Sequence, residues 1–192
     1  MRQRDLLAAI ASVGPIRLQG TFERHTSLRR DELQPSAAGG RWGVRRTYEV
    51  LYLGRPRSSV VIEAYRHLVD DELDDTAGAL AANVLERRIV TCKIDVPNIL
   101  DLRPDQIRQA ISLTDAQLFS DVGDYDACQA IGAAADQLGL AGLIAPAASG
   151  QGETLALFSA NLPAEHRPKV TKRDIWRGLP PDPRRLRLVD EA

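Results

Sequence analysis

The chain opens with apolar residues at helical spacing in R-Q-R-D-L-L-A-A-I-A-S-V-G-P, and the run stops at Gly14-Pro15. That pattern predicts a short amphipathic helix, because a glycine and a proline both end helices. The period then changes to two: in I-R-L-Q-G-T-F-E-R-H, Ile16, Leu18, Gly20, Phe22 and Arg24 share one face of a strand. Arg24 therefore ends an otherwise apolar face. After a polar link, T-Y-E-V-L-Y-L predicts a second strand with Tyr48, Val50 and Tyr52 on one side.

G-R-P-R-S-S breaks that strand and offers Ser58 or Ser59 as N-cap of a helix S-V-V-I-E-A-Y-R-H-L. Its first turns are apolar almost all round, so it is expected to be buried against the sheet, with Glu63 in its middle. An unpaired carboxylate there costs several kcal/mol, of order the effective penalty for a buried ion, and Arg24 or Arg41 are its natural partners.

Further on, the acidic loop 70–78 and a short helix 79–86 precede strands in R-R-I-V-T-C-K-I-D-V and N-I-L-D-L. Two helices follow, one with Pro104 in its first turn and one capped by Thr114. The clearest helix is D-Y-D-A-C-Q-A-I-G-A-A-A-D-Q-L-G-L, with Cys128, Ile131, Ala135 and Leu138 on one stripe and Gly139 as its stop. A buried strand A-G-L-I-A-P, the loop A-A-S-G-Q-G-E and a strand T-L-A-L-F complete the core pattern. From Pro163 the chain is proline-rich and basic, a solvated tail anchored by Trp176.

Composition narrows the class. With 192 residues, 44% hydrophobic and 27% charged, the chain suits one globular domain spanning 1–192. Its 25 basic residues against 26 acidic ones provide no general attraction to nucleic acid, so any anion recognition is local. Cys92 and Cys128 lack metal spacing and are expected to be buried thiols. The apolar start is too short for a signal peptide and no run is long enough to span a membrane, which points to the cytoplasm. His25, His67 and His166 are scattered, and no metal motif, G-x-S-x-G, Rossmann or P-loop signature occurs.

What remains is a set: Arg24, Arg41 after paired glycines, Tyr52, Glu63, Asp126 and Ser149. Each has an ordinary account as well. Asp126 with Gln129 reads equally as a capping box, Ser149 as a loop serine, and Tyr52 as packing with a wet hydroxyl.

The order of F-E-R-H, G-G-R-W, Y-L-G-R-P-R-S-S-V-V-I-E, D-A-C-Q-A-I-G and L-I-A-P-A-A-S-G closely resembles the RES domain, named for its Arg, Glu and Ser, over about residues 16 to 175. The resemblance implies an α/β (α+β) fold similar to the ADP-ribosyltransferase core, with central β-sheets flanked by helices. It also implies a toxin that consumes NAD+, silenced by a helix-turn-helix antitoxin that covers the active site in a hetero-oligomer. Family members split NAD+ by phosphorolysis or hydrolysis, or transfer ADP-ribose to a protein. NAD+ is then substrate, inorganic phosphate a possible co-substrate, and neither a cofactor nor a metal is expected.

By position, Arg24, Arg41, Tyr52 and Glu63 match the family's motif residues, Arg24 and Glu63 as the expected catalytic pair and Arg41 and Tyr52 as expected NAD contacts, and His25, Asp126 and Ser149 are added as further candidate NAD contacts. The chain departs from the pattern at His25, often Tyr, at Gly43, often Asn, and at Asp126, where relatives can carry a serine. Ala147 holds the place of the late serine, with Ser149 two residues beyond. These residue types suit the chemistry. Nicotinamide leaves as a neutral amine, so no general acid is required; a carboxylate stabilises the cationic ribose left behind, and arginines hold pyrophosphate or phosphate. The arginine-rich set puts phosphorolysis ahead of hydrolysis, with ADP-ribosyl transfer next and a non-catalytic docking module last.

Overall fold

The computed structural model describes residues 2–70, 86–120 and 124–186; most of the expected acidic loop 70–78 and helix 79–86 lies outside the described residues. The strands are β1 (Ile16–Ser27), β2 (Val50–Arg55), β3 (Arg87–Asp101), β4 (Gly142–Pro146), β5 (Glu153–Phe158) and β6 (Lys169–Trp176). The helices are α1 (Gln3–Val13), α2 (Arg57–Leu68), α3 (Asp105–Ala110), α4 (Asp115–Leu118), α5 (Asp126–Gln137) and α6 (Pro183–Leu186).

The sheet runs β1-β2-β5-β4-β3-β6, and β1 also pairs with β3. That extra pairing closes five strands into a ring, leaving β6 as an edge outside it. Alternation along the strands fills the ring with Leu18, Phe22, Leu51, Leu53, Val90, Cys92, Ile144 and Leu157. The outward face of β2, β5 and β4 is covered by α1 and α5, through Ile10, Cys128, Ile131 and Ala135 against Val50, Ala156 and Phe158. Helix α2 packs Val60, Val61 and Ala64 against Ile89 of β3 and Trp176 of β6.

Several expectations change. The two strands predicted around Pro97 are one, because β1 places a single residue, Arg17, opposite Pro97 and Asn98. This bulge accommodates the proline's missing N–H, and Asn98 takes a positive φ of 58°. The supposed tail contains β6, whose charged residues suit an edge strand. Helix α2 starts after Pro56, with no side-chain cap, so Ser58 and Ser59 lie inside its first turn. Leu138 leaves the buried stripe at 39% exposed, and Gly139, at φ 72°, ends the helix as expected. Thr114 caps α4 in a full capping box with Gln117. Both cysteines are free and buried. Among the described residues no helix is long and apolar enough to cross a membrane.

Candidate functional site

Strands β1 and β2 share one bridge, Glu23 opposite Gly54, although β1 stays paired to β3 from Ile16 to Ser27. Beyond Glu23 the sheet therefore opens. Arg24 and His25 border the opening from β1, and Tyr52 from β2. The chain that leaves β1 returns at Ser36 to exchange backbone hydrogen bonds with Val50.

Arg24 continues the face of Leu18 and Phe22, as its alternation requires. One guanidinium nitrogen, Nη2, donates to the Gln34 carbonyl at 2.9 Å, while Nη1 is buried with no acceptor. Burial lowers its pKa. Glu63 occupies the middle of α2 with its side chain 26% exposed, and its Oε2 lies 3.7 Å from His67 Nε2, one helical turn on. Its Oε1 is buried and receives no hydrogen bond. Neither Arg24 nor Arg41 approaches Glu63 within an ion-pair distance, so the partner expected from sequence is replaced by His67. Among the described residues, Arg24 Nη1 and Glu63 Oε1 are the two enclosed side-chain polar atoms left unpaired.

His25 points to the other side of β1 from Arg24. Its ring stacks on Trp176, with centroids 5.9 Å apart and planes at 19°, and Nδ1 accepts from Arg87 Nε at 2.9 Å. Burial first, then the charges of Arg87, His67 and Arg24, push its pKa down to about 3.

The Gly-Gly-Arg-Trp segment is a tight turn in which Gly40 and Gly43 exchange backbone hydrogen bonds of 3.0 and 3.3 Å. A Cβ on Gly43 would meet the Val50 side chain at 2.9 Å, so a larger residue here requires that side chain to shift. Trp42 is 1% exposed and anchors the turn. Its N–H donates to the Tyr52 hydroxyl at 3.1 Å and its carbonyl accepts from the Tyr48 hydroxyl at 2.9 Å. Tyr52 is thus a brace rather than a residue with a wet hydroxyl, and burial raises its pKa. Arg41 turns outward from this anchor. It donates to Ser120 Oγ at 3.0 Å and the Ser120 carbonyl at 2.7 Å, and lies 4.6 Å above the Tyr125 ring. These contacts engage part of its five-donor fork.

Asp126 is the exposed first residue of α5 and makes no capping box; Gln129 instead donates to the Gly40 carbonyl at 3.0 Å. Ser149 sits in the β4–β5 loop, where its Oγ donates to the Gln151 carbonyl at 3.1 Å. That loop is tied to α2 by Arg66, which donates to the Ala148 carbonyl at 2.7 Å. Arg24, His25 and Tyr52 thus flank the opening, and Glu63 and the Ser149 loop meet on α2. Arg41 and Asp126 lie at the α5 end of the same turn. The surface depression lined by Gln19, Gly20, Lys93, Asp95 and Thr171 shares no residue with this set.

Sequence reading missed Arg87, His67, Gln129 and Gly132. His67 follows Glu63 by four residues, which was a usable signal. Arg87 and Gln129 join the site through long-range pairing, which local periodicity does not carry. Gly132 looks like an ordinary helix glycine, yet a Cβ there would stand 2.2 Å from the Trp42 carbonyl.

The ring of strands is an α/β fold in which Arg24 Nη1 and Glu63 Oε1 are enclosed without hydrogen-bond partners, and the chain belongs to the RES domain family, whose model matches residues 15–179. It is similar to the NAD(+) phosphorylase MbcT of Mycobacterium bovis and of two Mycobacterium tuberculosis strains. Identity is 32% over 158 residues, covering 80% of this chain and 81% of each relative. In three dimensions it resembles a chain in the crystal structure of the Mycobacterium tuberculosis MbcT–MbcA toxin–antitoxin complex. The TM-score is 0.78 at 25% identity, over 90% of this chain and 92% of that one.

Proposed function

We propose that this chain is an NAD+-degrading toxin that cleaves the nicotinamide–ribose bond by phosphorolysis. The observation that carries the site assignment is the pair of enclosed atoms without partners, a donor on Arg24 and an acceptor on Glu63. A bound ribosyl phosphate supplies what each lacks, hydroxyls for the carboxylate and anionic oxygens for the guanidinium. The class of reaction is supported by relatives that are themselves NAD(+) phosphorylases.

In the proposed step a phosphate oxygen attacks C1 of the nicotinamide ribose as the C1–N bond breaks, and nicotinamide departs with the bonding electrons as a neutral base. Positive charge develops on the ribose, and the Glu63 carboxylate, whose Oε1 is enclosed, stabilises it. Arg24 and the remaining donors of Arg41 hold phosphate oxygens. Tyr52 acts by bracing the turn that carries Arg41, His25 contacts the dinucleotide from β1, and Asp126 and Ser149 border the site from α5 and the β4–β5 loop. The step uses NAD+ and phosphate as substrates and needs no resident cofactor or metal.

The MbcT structure is a toxin–antitoxin complex. We propose that this chain likewise pairs with an antitoxin, of helix-turn-helix type as the family resemblance implies, seated over the opening between β1 and β2, and that the pair acts in the cytoplasm. Purified, partner-free chain is expected to release one free nicotinamide per NAD+ consumed. A folded sample that releases none, with phosphate and with candidate acceptor proteins present, contradicts both phosphorolysis and ADP-ribosyl transfer.

A further inference from the structure

His25 stands where the site would be expected to gain a cation on acidification, yet its surroundings are built against that. Arg87 Nε–H donates to its Nδ1 at 2.9 Å. A guanidinium has no acceptor capacity, so Nδ1 must offer a lone pair, and a neutral ring then carries its proton on Nε2. Trp176 stacks on one ring face, with centroids 5.9 Å apart, and holds the plane of the ring. The charged groups around the ring are Arg87 of β3, Arg24 of β1, and His67 of α2 with its neighbour Glu63. Arg87 and Arg24 oppose a second proton, and burial opposes it further. Among the described residues Nε2–H meets no protein acceptor, and it is not one of the enclosed unpaired atoms, so it is open to a bound molecule.

We infer that Arg87 is a positioning residue that locks His25 as the neutral Nε2–H tautomer, so that His25 presents a hydrogen-bond donor to an oxygen of the dinucleotide without adding positive charge. This rests on the NAD+ reading and deepens it. The reaction builds positive charge on the ribose, and an imidazolium nearby would oppose the stabilisation that Glu63 provides, whereas a neutral N–H donor does not.

The test uses the full chain, 15N-labelled at histidine, as wild type and as Arg87→Met, Arg87→Lys, His25→Gln and His25→Phe. Long-range 1H–15N spectra read the tautomer through titration. In wild type, His25 should show protonated Nε2 and bare Nδ1, unchanged down to about pH 4.5, well below the ordinary histidine midpoint. In Arg87→Met, mixed tautomers and a titration above about pH 5 should appear, with Arg87→Lys between the two. NAD+ turnover should fall about tenfold in kcat/KM in Arg87→Met and in His25→Phe, the loss of roughly one hydrogen bond, while His25→Gln, whose amide N–H replaces Nε2–H, retains most of it.

A wild-type His25 that titrates near the ordinary value, or that carries its proton on Nδ1, overturns the inference without reference to any variant. Turnover in His25→Phe equal to wild type overturns the donor role. A wild-type chain that shows the locked tautomer but consumes no NAD+ overturns the nucleotide reading and leaves the Arg87 lock supported.

Discussion

At the scale of single residues, Glu63 combines a helix-centre position, an unpaired enclosed oxygen and a long contact to His67. An enclosed carboxylate oxygen with no hydrogen-bond partner adds little to stability, which suits the role proposed for Glu63. Glu63→Gln is therefore expected to lower NAD+ turnover by about two to three orders of magnitude, the cost of losing a preorganised electrostatic group. Its unfolding free energy should stay within about 1 kcal/mol of wild type or rise, as denaturant titration will read.

His25 makes a separate prediction about acid. Its pKa is near 3 in the folded chain against an ordinary 6.5, so the unfolded chain binds the proton first. Stability from this group is complete above the ordinary value and is lost as pH falls through that window. Asp95, held down to about 2 chiefly by its hydrogen bond from Arg17, contributes its own acid loss below its ordinary 3.8. His25→Phe should therefore flatten the stability profile between about pH 6.5 and 4, and leave the steeper fall below it. An unchanged slope in that range contradicts the buried neutral imidazole.

At the scale of elements, α5 and the Gly40–Gly43 turn are fitted to each other. Alanine at 132 would gain up to about 1 kcal/mol of helix propensity. Its Cβ would have to displace the Trp42 carbonyl from 2.2 Å, and overpacking of this kind costs roughly 1–3 kcal/mol. The steric term wins, so Gly132→Ala should lower the urea midpoint and, through the displaced turn, turnover as well. Thr114→Ala, which removes the capping box of α4, should cost about 1 kcal/mol.

The same elements show how far local pattern reaches. The strand faces of β1, the burial of α2, the cap at Thr114 and the stop at Gly139 all follow from spacing and residue type. Strand β6 did not, because Lys169, Lys172 and Arg173 read as tail until β3 supplies a partner for their backbone. The unbroken β3 did not either, since a bulge opposite Arg17 excuses Pro97. For the candidate site, Arg24, Glu63 and the i,i+4 spacing of His67 are legible in sequence, but the contacts of Gln34 with Arg24 and of Arg87 with His25 come from tertiary packing that no local period encodes.

At the scale of the whole molecule, the circuit of strands opens between β1 and β2 beyond Glu23, and α2 packs against both strands. Beyond Trp176 the chain returns to that helix: Tyr65 donates to the Pro180 carbonyl at 2.8 Å, and Arg184 binds Asp70 at 2.6 Å. This clasp steadies the element that carries Glu63. A protein seated over the opening would block the dinucleotide without altering the fold, so co-expression with the proposed antitoxin should abolish both toxicity and NAD+ consumption and yield a co-purifying complex.

In the proposed reaction phosphate is the nucleophile. Purified chain given NAD+ in phosphate-free buffer and then with added inorganic phosphate, with products resolved by mass, tests it most directly. Phosphorolysis requires nicotinamide release to depend on phosphate and the sugar product to be ADP-ribose carrying the added phosphate on the anomeric carbon. Release of nicotinamide at the same rate without phosphate, with free ADP-ribose as product, contradicts it.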